Sequence, residues 1–246
     1  MEKGVPIRSI TRSIAALKAI NRHGSLSMME IAKSAEVPYP TACRIVQTLL
    51  YEGLIEQEPA RKRYRPTALV QTLATGFQHD DELVRIARPH IVAFTSRAGW
   101  PVSIAIRVGR EMMLRDSTHA NSSLTFEHYY PGFTLPILDS ASGKVSMAFA
   151  DDEEREMILR FMRVSQDIDL NYLATAEVSL DVERIRADGY AVQGRNHFNL
   201  TPGKTSSIAV PIFRNGHFEA AMTMVFFVAA MKLSTALETY LDDLKA

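Results

Sequence analysis

Three stretches of this sequence carry residue types whose spacing could do chemistry. In Tyr39-Pro40-Thr41-Ala42-Cys43-Arg44-Ile45-Val46-Gln47-Thr48, the residues Thr41, Arg44, Gln47 and Thr48 recur every three or four positions, so a helix would gather them on one face. Hydroxyls and an amide around a guanidinium suit hydrogen bonding to base edges and phosphates. Arg44 could pair with a guanine edge, and Tyr39 and Thr41 could reach bases or phosphates; a solvated or internally paired Arg44 stays open. In Arg61-Lys62-Arg63-Tyr64-Arg65 four of five residues are basic, as in a loop lying along phosphates, though such a run also suits a plain solvated surface. The third stretch is Ser140-Ala141-Ser142-Gly143-Lys144. Small residues leading into a helix expose N–H groups at the positive end of its dipole, which favours a carboxylate; an ordinary helix cap by Ser140 or Ser142 is the alternative.

None of these stretches reads as a catalytic centre. The third lacks S-x-x-K spacing, G-x-S-x-G is absent, and Gly143-Lys144 is followed by Val145 where a P-loop has Ser or Thr. No general base stands beside a nucleophile, so no catalytic residue and no cofactor are expected. His79-Asp80-Asp81-Glu82 offers too few donors from one helical turn for a metal site and reads as a solvated face.

The first two stretches need a scaffold, and the N-terminal 67 residues supply one. Ile10, Ile14, Leu17 and Ile20 have helical spacing and run into Gly24. Ser27 with Glu30 has the spacing of a capping box and starts a helix from Met28 to Ala35. Pro38 stops that helix, and Pro40 fits the first position of the next, where no N–H is needed. Ala42, Ile45, Val46, Leu49 and Leu50 form its apolar face until Gly53. Two short strands, Leu54–Glu58 and Arg63–Arg65, follow around a turn. The expectation is a winged helix-turn-helix whose DNA contacts are Tyr39, Pro40, Thr41, Arg44, Gln47, Arg61, Lys62 and Arg63.

Thr67 to Arg88 reads as a helical connector that kinks or restarts at Pro89. Beyond it, Val102–Arg107 and Met112–Thr118 read as strands around Gly109-Arg110. Asn215-Gly216 marks a hairpin between Ser207–Phe213 and His217–Phe227. Amphipathic helices are expected at Asp151–Met162 and Thr175–Ala187. The fold class is therefore α+β, an antiparallel sheet with helices on it. The expected divisions are residues 1–67 for the DNA-binding domain, 68–90 for the linker helix and 91–246 for a sensing domain.

Composition agrees with this division of labour. The 246 residues are 46% hydrophobic and 23% charged, the balance of a core-forming protein. Net charge is zero, but residues 1–75 hold 11 Lys and Arg against 6 Asp and Glu, while the rest holds 17 against 22. A basic module on an acidic one points to a polyanion for the first and another task for the second. A single cysteine, Cys43, and no apolar leader at the start imply a reducing cytoplasm. The apolar run Ala220–Met231 is too short to span a bilayer.

Val37 to Leu49, with Thr41 and Arg44 three apart, resembles the recognition-helix stretch of the IclR family of bacterial transcription regulators. Leu135 to Lys144 is similar to that family's pocket turn. Gly189-Tyr190-Ala191-Val192 and Ser207-Ile208-Ala209-Val210-Pro211-Ile212 are similar to its second signature. Pro40 and Cys43 depart from the usual residues at their positions. The run that includes Trp100-Pro101 and Ser140 to Gly143 looks closest to activators of aromatic-acid catabolism. The resemblance implies a GAF-like sensor fold whose pocket is lined by Leu135, Ala141, Ser142, Gln193, Thr223 and Val225. Ser140 and Gly143 complete the expected effector turn, and Phe198, Met222 and Phe226 are candidate walls or simply core. Gln193 stands where the family often carries an acid. The implied partners are a palindromic double-stranded operator, a small organic acid, a second copy in a homodimer or homotetramer, and RNA polymerase.

Overall fold

A computed structural model describes residues 6–124, 129–164, 173, 174, 176, 180–195 and 203–246. The chain divides into two compact units, Met1–Asp80 and Asp81–Ala246.

The first unit packs α1 (Arg8–His23), α2 (Met28–Ser34) and α3 (Tyr39–Tyr51) against a small antiparallel sheet of β1 (Leu26–Ser27), β2 (Ile55–Gln57) and β3 (Arg63–Pro66), in the order β1-β3-β2. The capping box forms as its spacing predicts. Ser27 N donates to Glu30 Oε2 at 2.7 Å, and Glu30 N donates to Ser27 Oγ at 3.4 Å, which satisfies two orphan donors reciprocally. The backbone bond from Ser27 is also the main reason the Glu30 carboxyl sits below its ordinary pKa. Between α2 and α3, Glu36 turns through φ 53°. Tyr39 opens α3, so Pro40 takes its second position and not the expected first; neither position needs an N–H. The unit's core is Ala16, Ala19, Ile20, Ile31, Ala42, Val46, Leu49 and Ile55. Ile10 and Ile14, whose spacing announced α1, lie outside it and are about half exposed.

In the second unit, α4 (Asp81–Ala98) leads into a six-stranded antiparallel sheet. Its strands are β4 (Val102–Val108), β5 (Glu111–Ser117), β6 (Thr134–Pro136), β7 (Ala191–Gln193), β8 (Thr205–Arg214) and β9 (His217–Phe227), in the order β6-β5-β4-β9-β8-β7. The connector expected as a helix over residues 68–90 is a 3-10 helix, Ala68–Asp80, followed by α4, which continues through Pro89 to Ala98. A proline inside a helix costs about 3 kcal/mol. Leu83, Ile91 and Phe94 of the same helix are buried in this unit's core, and each such burial contributes about 1.5–3 kcal/mol, so packing wins. For the same reason the division falls at residues 80 and 81, inside the stretch expected to be a separate linker.

The two sheet faces are built differently. Val102, Ile104, Ile208, Val210, Met224 and Phe226 face α4 and α8 (Leu233–Lys245), with Trp100 edge-on to Phe226. The opposite face presents Ala191, Ala209 and Ala221 to Ala141, Val145 and Ala148 of α5 (Ala141–Phe149). Such small side chains let α5 approach the sheet closely. Helix α6 (Asp152–Arg163) matches expectation, whereas the helix expected over Thr175–Ala187 is not continuous: Leu180 and Asp181 are not helical, and α7 (Val182–Asp188) starts after Asp181, whose side chain caps it by accepting from Arg184 N. Neither β6 nor α8 was anticipated. The β8–β9 turn places Asn215 and Gly216 at φ 51° and 80°, the left-handed pair that a two-residue hairpin needs.

Candidate nucleic-acid interface and internal cavity

The first turns of α3 project their polar residues outward. Tyr39, Pro40, Arg44 and Gln47 are exposed and Thr41 is half-buried, while Ala42, Ile45, Val46 and Leu49 anchor the opposite side in the core. Arg44 has no side-chain partner among the described residues, and only its carbonyl is engaged, by Thr48 Oγ1 at 3.0 Å. Arg61 and Lys62 stand exposed at the tip of the β2–β3 turn, and they too lack an ion pair among the described residues.

Arg63 departs from the expected set of DNA contacts. Its guanidinium donates to Ser25 Oγ at 3.2 Å and Ser25 O at 2.8 Å, and pairs with Glu30 Oε2 at 3.0 Å. It fastens β3 to the start of α2 and so positions the wing. Arg65 is likewise held by Glu56 on β2. A sequence read for charge alone does not reveal that strand pairing brings a carboxylate beside each.

The second unit encloses a cavity between α5 and the small-residue face of the sheet. Of the residues named as candidate effector contacts, Leu135, Ser140, Ala141, Ser142, Thr223 and Val225 line it. Ser103, Ala105, Leu114, Tyr129, Thr205 and Ser207 line it too and were missed. The signal was there: polar or small residues recur every second position in otherwise apolar strands, at Ser103 and Ala105, Thr205 and Ser207, and Thr223 and Val225, so each pair shares one face. Met222 and Phe226 fall on the alternate positions and pack on the other side of the sheet, with the core. Phe198 lies outside the described residues.

Two expected contacts are placed otherwise. Gly143 N donates to Ser140 Oγ at 3.1 Å, so that N–H closes the helix cap. A Cβ at Gly143 would stand 1.8 Å from the carbonyl oxygen of Ile137, and the glycine is therefore needed for close packing. Gln193 pairs across the ladder with Ser207 and so shares its face, yet it is not among the residues that line the cavity. Its Oε1 is buried without a partner among the described residues.

Ser140 Oγ also donates to Pro136 O at 2.9 Å, which fixes the turn from β6 into α5. The N–H groups of Ala141 and Ser142 precede the first intrahelical bond and remain as donors at the helix start. Thr223 Oγ1 is buried with no hydrogen-bond partner among the described residues. No charged side chain lines the cavity among the described residues, and its free space is about 10 Å³, about the room of one water. Next to it, Tyr129 stacks on His119 with ring centroids 4.4 Å apart. Burial pushes the His119 pKa down to about 3. On the far side of the α5 turn, burial raises the Asp139 carboxyl against the pull of Lys144, and lowers the Lys144 amine.

A helix-turn-helix with a basic wing, followed by a separate antiparallel domain with a polar internal cavity, defines a DNA-binding transcription regulator. The family model described as the bacterial transcriptional regulator IclR C-terminal matches residues 76–246, and the IclR helix-turn-helix model matches residues 9–59. The chain belongs to the IclR family, whose members are transcriptional regulators and not enzymes. The HTH-type transcriptional regulator BhcR of Paracoccus denitrificans is 26% identical over 209 residues, covering 84% of this chain and 72% of that protein. The crystal structure of the Thermotoga maritima IclR superposes with a TM-score of 0.64 at 21% identity, covering 98% of this chain and 95% of that one. An IclR homologue from Microbacterium hydrocarbonoxydans, solved in complex with 4-hydroxybenzoate, gives 0.65 at 21% identity, covering 96% and 99%. Among the described residues no helix is long and apolar enough to cross a membrane, and no group of three or more His, Cys, Asp or Glu is placed to hold a metal ion.

Proposed function

We propose that this regulator reads a palindromic operator as a dimer or a dimer of dimers in the cytoplasm, under the control of a small carboxylic acid held between α5 and the sheet. The observation that carries the effector reading is the cavity's chemistry. It combines six Ser and Thr side chains, the buried unpartnered Thr223 Oγ1 and the free end of α5. A carboxylate there would accept from the Ala141 and Ser142 N–H groups and from hydroxyls, with the helix dipole behind them. Leu114, Tyr129, Leu135 and Val225 offer apolar walls that suit a ring, and a relative of the same fold is known with 4-hydroxybenzoate. A cavity this narrow must widen to admit a ring, so an acid would favour a different arrangement of the domain and thereby shift its population.

Helix α4 is the element through which such a shift would travel. Arg88 of α4 holds Asp116 Oδ1 at 2.7 Å and Ser117 O at 3.1 Å, and Thr95 shares a buried hydrogen bond of 2.6 Å with Thr118. The first ties end on the last residues of β5 and the second on Thr118 just after it, next to His119, which stacks on Tyr129. For an activator, RNA polymerase is the further partner. The narrowness of the cavity also favours a second reading, in which the domain is a scaffold without a ligand; thermal stabilisation by a small acid separates the two.

The DNA reading is tested by enriching duplexes from a random-sequence library with the full chain and measuring binding by mobility shift. The expected result is a symmetric site with half-sites about one or more helical turns apart, bound in a salt-sensitive way. Failure to enrich any sequence at low salt would count against it.

A further inference from the structure

Beside α3, the first helix forms one wall of a groove of roughly 320 Å³. Ser9, Arg12 and Ser13 of α1 face Thr41, Arg44 and Thr48 of α3 across it, and Ile45 is its apolar residue. No carboxylate lines the groove, and neither Arg8–His23 nor Tyr39–Tyr51 contains an Asp or Glu. Five half-buried arginines elsewhere among the described residues hold carboxylates: Arg63 pairs with Glu30, Arg88 with Asp116, Arg107 with Glu154, Arg155 with Asp152 and Arg214 with Glu219. Arg12 is half-buried as well, yet it has no partner among the described residues.

The hydroxyls divide in the same way. Ser13 Oγ donates to Ser9 O at 2.9 Å and Thr48 Oγ1 to Arg44 O at 3.0 Å, so both are spent on their own helices. The hydroxyls of Ser9 and Thr41 are uncommitted among the described residues. Two like charges kept together without a counterion repel each other, and hold their place at a cost that an anion between them removes. The ligand that fits is a tetrahedral oxyanion able to accept from a guanidinium and two hydroxyls at once.

We infer that Ser9, Arg12 and Thr41 form a seat for one backbone phosphate of duplex DNA, and that this contact from α1 sets the angle at which α3 enters the major groove. The seat rests on the DNA-binding reading above and adds to Thr41 two residues of α1, Ser9 and Arg12, that neither the recognition-helix stretch nor the wing contains. A phosphate contact carries no sequence information, so its loss weakens all duplexes alike.

The test compares the full-length wild type with Arg12→Gln, Arg12→Lys and Lys18→Ala, using an enriched duplex and a shuffled one between 50 and 200 mM salt. Lys18 is an exposed cation of the same helix outside the groove, and serves as the control. Arg12→Gln is expected to weaken binding to both duplexes by the same factor and to flatten the plot of log affinity against log salt by about 0.9, a change of about three- to fourfold in relative affinity across that range. Arg12→Lys should restore most of that slope, Lys18→Ala should leave it in place, and melting temperatures should stay at the wild-type value. If the wild type enriches a site while Arg12→Gln keeps its affinity and slope, the seat is wrong and the DNA reading stands. An equal loss in Lys18→Ala would reduce the seat to diffuse charge. If the wild type enriches no site, both fall.

Discussion

The two units distribute charge by opposite means. Among the described residues, the N-terminal unit leaves Arg12, Arg44, Arg61 and Lys62 without ion-pair partners, with all but Arg12 exposed. The C-terminal unit ties Arg88, Arg107, Arg155 and Arg214 to carboxylates and lines its cavity with hydroxyls. At a surface a cation costs little desolvation, and a polyanion releases counterions when it binds. Inside a domain an unpaired guanidinium would cost several kcal/mol, so neutral hydroxyls and N–H groups are the economical way to receive a carboxylate. If the proposed acid is the ligand of the second unit, similar anion chemistry thus calls for different residues, according to where water is.

The comparison breaks most visibly at Gly143. An alanine there would drive its Cβ into the Ile137 carbonyl, and backbone cannot move aside as a side chain can. Gly143→Ala should destabilise the C-terminal unit by at least about 3 kcal/mol, which lowers its calorimetric melting temperature by roughly 6–12 °C. The helix-turn-helix unit should keep its own transition. Unchanged melting would mean that the start of α5 is not held against Ile137.

Arg44→Ala should do the reverse, leaving melting untouched while it weakens an enriched duplex by about 1–3 kcal/mol and relaxes preference at one base position. The same loss on enriched and shuffled duplexes in a mobility shift would turn Arg44 from a base reader into a phosphate contact.

His119 sharpens the contrast through pH. An unfolded histidine titrates near 6.5, whereas burial holds His119 neutral in the fold down to about pH 3. Between those values the unfolded chain binds the proton that the folded chain refuses, so stability falls as pH drops below about 6.5. Between pH 7 and 5 this group's share of the loss is about 2 kcal/mol. His119→Asn should flatten that part of the pH dependence in denaturant titrations, and parallel curves for both proteins would refute the assignment. The smallest effect belongs to the surface unit. Ser27→Ala removes one half of the capping box and should cost about 1 kcal/mol in the first unit's stability, visible as a lower denaturation midpoint with unchanged slope.

Local signals made the first unit legible. Ser27 with Glu30, the two prolines around Tyr39 and the glycine at 53 each act within a few residues, and α2, α3 and the wing fell where they pointed. Long-range pairing was less visible. Arg63 looked like a phosphate contact because nothing near it in the chain shows that β3 would lie beside Ser25 and Glu30. The cavity divided in the same way. Ser140 to Ser142 announced themselves as a turn of small residues before a helix, but Ser103, Thr205 and Ser207 come together only once β4, β9 and β8 are known to be neighbours. Short strand β6, with three residues, offered little periodicity to read, whereas Leu233, Ala236, Leu237, Tyr240, Leu241 and Leu244 have helical spacing that did announce α8, a signal present but missed.

The most direct test of charge outside and hydroxyls inside is a thermal-shift titration of the full-length protein with benzoate, 4-hydroxybenzoate and short aliphatic acids, each beside its neutral carboxamide, repeated on Thr223→Val. At least one acid should raise the melting temperature, reaching about 2.7 kcal/mol of stabilisation at 100 times its dissociation constant, while its amide does not and the variant responds less. No response to any acid, or equal responses to acid and amide, would contradict a carboxylate site in the sensing domain.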